Sequence, residues 1–126
     1  MRNAVLYTKQ PVDKDKCFEI IKGVIPKTES YETQIVIGKP PRSICLWFPS
    51  YNIDDIQGEI EKKEMSEGLE HIPYEKPYFT NVDFHNPNKL KKIVALLSAI
   101  YPEIIVWVDD DKFYTAQEFA ETDFNF

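Results

Sequence analysis

Glycine is scarce in this sequence of 126 residues, with only four, at positions 23, 38, 58 and 68. None falls in a G-x-G-x-x-G or P-loop spacing, so the glycine-rich backbone cradles that hold nucleotide phosphates are excluded. Cysteine is scarcer still. Cys17 and Cys45 stand alone, outside any C-x-x-C or Cys/His spacing, and their apolar neighbours predict buried, reduced thiols. Histidine is limited to His71 and His85, and no G-x-S-x-G is present, so no catalytic triad is legible. No apolar run approaches the roughly 20 residues that span a bilayer. The first ten residues, MRNAVLYTKQ, lack the apolar core of a secretory signal. These absences predict a cytoplasmic protein with no membrane contact.

The chain is rich in aromatic residues. Eight Phe, seven Tyr and two Trp, within an apolar fraction of 43%, argue for a packed core rather than disorder. The length suits one domain over residues 1–126, large enough to fold without disulfides or metals. Charge is distributed unevenly. Residues 1–102 balance at 14 basic and 14 acidic side chains, whereas residues 103–126 hold 7 acidic and 1 basic. The whole net charge of −6 therefore lies in the last 24 residues. That asymmetry disfavours nucleic acid as a direct ligand, which needs clustered Lys and Arg, and suits a basic protein partner.

Periodicity sets the order of elements. Asn3 to Thr8 reads as a strand, with Val5 and Tyr7 on one face and Ala4 and Leu6 on the other. Asp13 stands where a helix N-cap belongs, before the stripe Cys17, Phe18, Ile20, Ile21, Val24 and Ile25, and Pro26 ends the helix. Tyr31 to Ile37 alternates as a half-buried strand. After a Gly/Pro turn, Ile44 to Phe48 is apolar on both faces, as in a central strand paired in an antiparallel hairpin. Asn52 could cap a helix bearing Ile53, Ile56 and Ile60, with Asp54 and Asp55 in its first turn. Residues up to Pro77 then read as a polar crossover.

Tyr78 to Phe84 alternates as a strand, Asn86-Pro87 is a helix start, and Leu90, Ile93, Val94, Leu97 and Ile100 form the buried stripe opposite Lys89, Lys91 and Lys92. Ile104 to Val108 returns as a strand, expected to run parallel to Tyr78–Phe84 through a right-handed crossover. Phe113-Tyr114 is a further short strand or turn. Thr115-Ala116-Gln117-Glu118 matches a capping box, predicting a final helix from Ala116 anchored by Phe119. The order β-α-β-β-(α)-β-α-β-α predicts an α+β fold, a mixed and mainly antiparallel sheet with helices packed on it. A ferredoxin-like topology is a candidate.

Asp109-Asp110-Asp111 invites a metal reading. Consecutive side chains on an extended segment point in opposite directions, and the spacing of an EF-hand is missing. Turn chemistry accounts for the run better, so no metal and no cofactor are expected. His85, beside Asp83, is a general-base candidate for a small enzyme or ligand-binding domain with a pocket there.

The segment IYPEIIVWVDDDKFYTAQEFAE resembles the ends of small bacterial immunity proteins, which accompany secreted or contact-delivered toxins; the likeness covers about the last third of the chain. The resemblance implies a compact acidic α+β domain, not an enzyme, that binds one toxin in the cytoplasm, commonly a basic nuclease, and blocks its active site. Acidic residues interleaved with aromatics support a contact surface independently. The expected contacts are Asp109, Asp110, Asp111, Glu118, Glu121 and Tyr114, with Asp54 and Asp55 of the crossover second. Small-molecule binding near His85 and an oligomerising module are the competing readings. Ligand-induced thermal stabilisation would mark the first and light scattering the second.

Overall fold

The computed structural model describes residues 2–39, 42–52, 77–108 and 112–122. The elements run β1 (Arg2–Thr8), α1 (Lys14–Val24), β2 (Thr28–Ser30), β3 (Gln34–Ile37), β4 (Ile44–Trp47), β5 (Tyr51–Asn52), β6 (Tyr78–Phe84), α2 (Pro87–Ser98), β7 (Ile105–Val108), β8 (Lys112–Thr115) and α3 (Ala116–Glu121). The fold is α+β. One sheet has the order β2-β3-β4-β6-β1-β7-β8, with β5 pairing beside it on β6.

Every pairing among the described strands is antiparallel. The expected parallel relation of β6 and β7 holds in direction only. They are not neighbours, because β1 lies between them and pairs with both. The same device recurs on the other side, where β1 and β4 point the same way with β6 between them. Two split β-α-β units thus interlock through β1 and β6, the arrangement of a ferredoxin-like core. The hairpin β2–β3 widens this core beyond β4, and β8 with α3 widens it beyond β7.

Each helix forms for a local reason and is held by its buried stripe. The Asp13 carboxylate caps α1 by accepting from Lys16 N, and the Asn86 amide oxygen caps α2 by accepting from Asn88 N, with Pro87 at the first helical position. At 12 residues α2 is too short to persist alone in water. Leu90, Ile93, Val94 and Leu97 are all buried, each contributing about 2 kcal/mol as an upper estimate. They join Ala4 and Leu6 of β1, Val82 and Phe84 of β6, and Val106 and Val108 of β7 in one cluster. On α1 only Cys17 and Ile21 are fully buried, and Val24 of the expected stripe is 47% exposed.

Two strand boundaries differ from expectation. The run Tyr31 to Ile37 is broken: Tyr31 N donates to Gln34 O in a tight turn, and β2 lies before it and β3 after it. Tyr31 is exposed in consequence. Alternation alone did not mark the turn, because Tyr31 and Thr33 continue the period of Ile35 and Ile37. Asn52, read as a helix cap, instead belongs to the two-residue strand β5. The helix expected after it lies outside the described residues.

The face of the sheet away from the helices is also partly core. Tyr7 meets Phe79 edge-on at 5.1 Å between ring centroids and Phe113 at 5.9 Å. Phe79 is fully buried and Val5, Tyr7 and Ile105 nearly so.

Candidate functional site

The expected partner-binding residues divide in two. Asp54, Asp55, Asp109, Asp110 and Asp111 lie outside the described residues. Tyr114, Glu118 and Glu121 are brought together at one edge of the sheet, on β8 and the short helix that follows it. The capping box is formed: Thr115 Oγ1 accepts from Glu118 N at 3.1 Å, and Glu118 Oε1 accepts from Thr115 N at 3.0 Å. Phe119 is fully buried, and the half-buried Tyr114 ring packs on it at 5.8 Å. Glu121 accepts from Gln117 Nε2 at 3.2 Å. Glu118 therefore has a structural task as well as an exposed charge.

The open face of the sheet carries a second feature. Trp47 of β4 and Trp107 of β7 bound a shallow recess of about 390 Å³ floored by Asn3, Val5, Asn81 and Asp83. Trp47, expected in the core, is instead 40% exposed, and its indole N–H donates to the Asp83 carboxylate at 2.8 Å. That bond engages the carboxylate on which a His85–Asp83 pair would rest. His85 is exposed and does not line this recess.

A third feature joins parts far apart in sequence. Lys39 and Arg42 of the β3–β4 connection face Lys89 and Lys92 of α2 across a cavity of about 540 Å³. Ile25, Ile37, Ile44 and Ile93 form its apolar lining. Beside it, a cavity of about 520 Å³ shares Gly38 and Lys39 and adds Lys22, Lys27 and Glu29. The charges of this neighbour are largely spoken for. Lys22 Nζ donates to the carbonyls of Pro26 and Thr28, and the Tyr31 hydroxyl donates to Glu29.

Both thiols are held in the neutral form. Burial, reinforced by the Asp13 carboxylate, pushes Cys17 up to about 12. Burial and then Asp83 raise Cys45, whose Sγ donates to Gln34 Oε1 at 3.0 Å. Among the described residues no group of three or more His, Cys, Asp or Glu converges as metal ligands would. No described helix is long and apolar enough to cross a membrane.

No family model, curated protein or solved structure matches the chain.

The sequence displays the acidic C-terminal segment directly, because its residues lie close together in the chain. It displays the cleft only as two unrelated basic clusters. Lys92 reads as a solvated helix position, and nothing in the spacing places it opposite Arg42, 50 positions earlier. Two lysines three apart at the start of a helix, and two cations flanking a Gly/Pro turn, were the available signals.

Proposed function

We propose that this chain is a binding protein that captures a basic protein partner through the edge formed by β8 and α3. The resemblance of its last third to bacterial immunity proteins names the partner class as a toxin, with a basic nuclease the expected kind. The observation that carries this reading is the segregation of charge. All of the net negative charge lies in residues 103–126, whose described part builds one edge of the sheet. The cationic cleft lies toward the other edge, with β3 five strands from β8 in the sheet order. At about 4.8 Å per strand that is roughly 24 Å, well beyond a Debye length of about 8 Å at physiological salt. The other wall of the cleft, α2, packs beside α3, and a basic partner is steered by the acidic residues of the C-terminal segment. Tyr114, half-buried against Phe119, is the aromatic contact at that edge.

The test looks for a toxin domain encoded next to the chain's gene and pairs the chain with it. Co-expression should protect cells, and the two proteins should co-purify. Asp109→Asn, Asp110→Asn and Asp111→Asn combined with Glu121→Gln should slow association about tenfold or more at low salt, with little change in dissociation. Association as fast as wild type would place the interface elsewhere. Failure to protect and to co-purify would end the toxin reading.

A further inference from the structure

We propose that the cleft between the β3–β4 connection and the start of α2 binds a small phosphomonoester with an aliphatic body. The inference is independent of the toxin reading and concerns the part of the sheet toward its other edge.

Three observations on the cleft converge. The first is charge of one sign. Among the described residues, Lys39, Arg42, Lys89 and Lys92 line the cavity and no acidic side chain does. Among the described residues none of these four cationic heads takes part in an ion pair or side-chain hydrogen bond. Cations gathered without counter-charge repel one another, and an anion relieves that repulsion. The two other cavities contrast with it. Glu29 lies among the lysines of the neighbouring one, and Asp83 on the open face is already bonded to Trp47.

The second is size and lining. A volume of about 540 Å³ lies in the roughly 300–1,000 Å³ range of small-molecule sites. Among the described residues the apolar wall consists of four isoleucines and no aromatic ring. Such a wall accepts an aliphatic body and offers a nucleotide base nothing to stack on. Asn88 supplies the uncharged polar side chain in the lining.

The third is the rigidity of the frame. Ile37, Ile44 and Ile93 are at most 4% exposed, so the floor is part of the core. Gly38 turns the chain with φ +88, and its N–H donates to Lys27 O at 2.8 Å. This brings Lys39 and Arg42 to the rim. The first-turn amides of α2 are occupied: Asn88 N donates to Asn86 Oδ1 and Lys89 N to Asn86 O. The head group is therefore held by side chains, with the Arg42 fork suited to two phosphate oxygens and the lysines acting as point charges. The positive end of the α2 dipole adds in the same sense.

Isotope-labelled full-length protein is titrated with hexyl phosphate, inorganic phosphate, hexanoate and hexanol, following backbone amide shifts. Hexyl phosphate should saturate and move the amides of Gly38, Ser43, Asn88, Lys89 and Ile93. Inorganic phosphate and hexanoate should bind at least tenfold more weakly, and hexanol should not bind. Arg42→Glu and Lys92→Glu should each weaken hexyl phosphate at least tenfold, whereas Lys16→Glu, on the exposed side of α1, should not. Circular dichroism confirms that the variants remain folded. The proposal is overturned if the shifts scatter over all lysines, or if Lys16→Glu matters as much as Lys92→Glu. Inorganic phosphate binding as tightly as hexyl phosphate would leave a nonspecific anion site. Binding to phosphatidic acid vesicles without binding to hexyl phosphate would assign a membrane surface instead.

Discussion

A single buried sulfur sets a pH dependence. Cys17 has no exposed surface, and its thiol is raised from 9.0 to about 12 by burial and then by Asp13. Below about pH 9 both the folded and the unfolded chain keep this proton, and the group has no effect on stability. Above that the unfolded chain loses the proton first. It then binds fewer protons than the native state, so stability falls as pH rises from about 9 to about 12. Tyr101, raised chiefly by burial, works in the same direction. Denaturant melts should show a loss of stability between about pH 8 and about pH 10 that is smaller in Cys17→Ala. An identical loss in both proteins would show that Cys17 is not the group responsible. The same burial should leave Cys17 unreactive to iodoacetamide in the native protein.

At the scale of elements, the short helix α3 depends on its cap more than on its length. Six residues provide almost no helical stability of their own. What holds α3 is the reciprocal bonding of Thr115 and Glu118 together with the burial of Phe119. Thr115→Ala should cost about 1 kcal/mol in denaturant unfolding and speed amide exchange locally in α3. A change confined to global stability, with exchange in α3 unaltered, would mean that Phe119 alone secures the helix. The opposite end of the helix layer is tied differently. Asp13 N donates to the Tyr101 hydroxyl at 2.7 Å, linking the start of α1 to the chain just beyond α2. The sequence revealed the first device, since T-x-x-E is local. It concealed the second, which joins residues 88 positions apart.

At the scale of the whole molecule, the sheet has core on both faces rather than one. Phe84 points to the helices and Phe79 to the other face, and both are fully buried. The Phe79→Ala and Phe84→Ala variants should therefore cost similar amounts, about 3–5 kcal/mol each. A loss below about 1 kcal/mol for Phe79→Ala would mean that the second face is only a surface cluster. Charge is also organised at this scale. Glu118 and Glu121 lie on α3 and the cationic cleft lies between the β3–β4 connection and α2, and the two proposals assign these places partners of opposite charge.

Much of this protein is written locally. Asp13, Asn86-Pro87 and the Thr115–Glu118 box begin helices where the sequence places them, because a cap involves residues only two or three apart. The two-residue period of Ala4 and Leu6 against Val5 and Tyr7 assigns the faces of β1, since alternation is a property of any extended chain. The acidic bias of the last 24 residues was legible for the same reason, being a property of one short segment. Tertiary structure alone decided the rest. It placed β1 between β6 and β7, because strand neighbours depend on which edges remain free to pair and not on chain order. It left Trp47, apolar by composition, 40% exposed with its indole N–H on Asp83. It also set Lys89 and Lys92 opposite Lys39 and Arg42. No local pattern encodes that meeting, which follows from α2 and the β3–β4 connection packing against the same sheet.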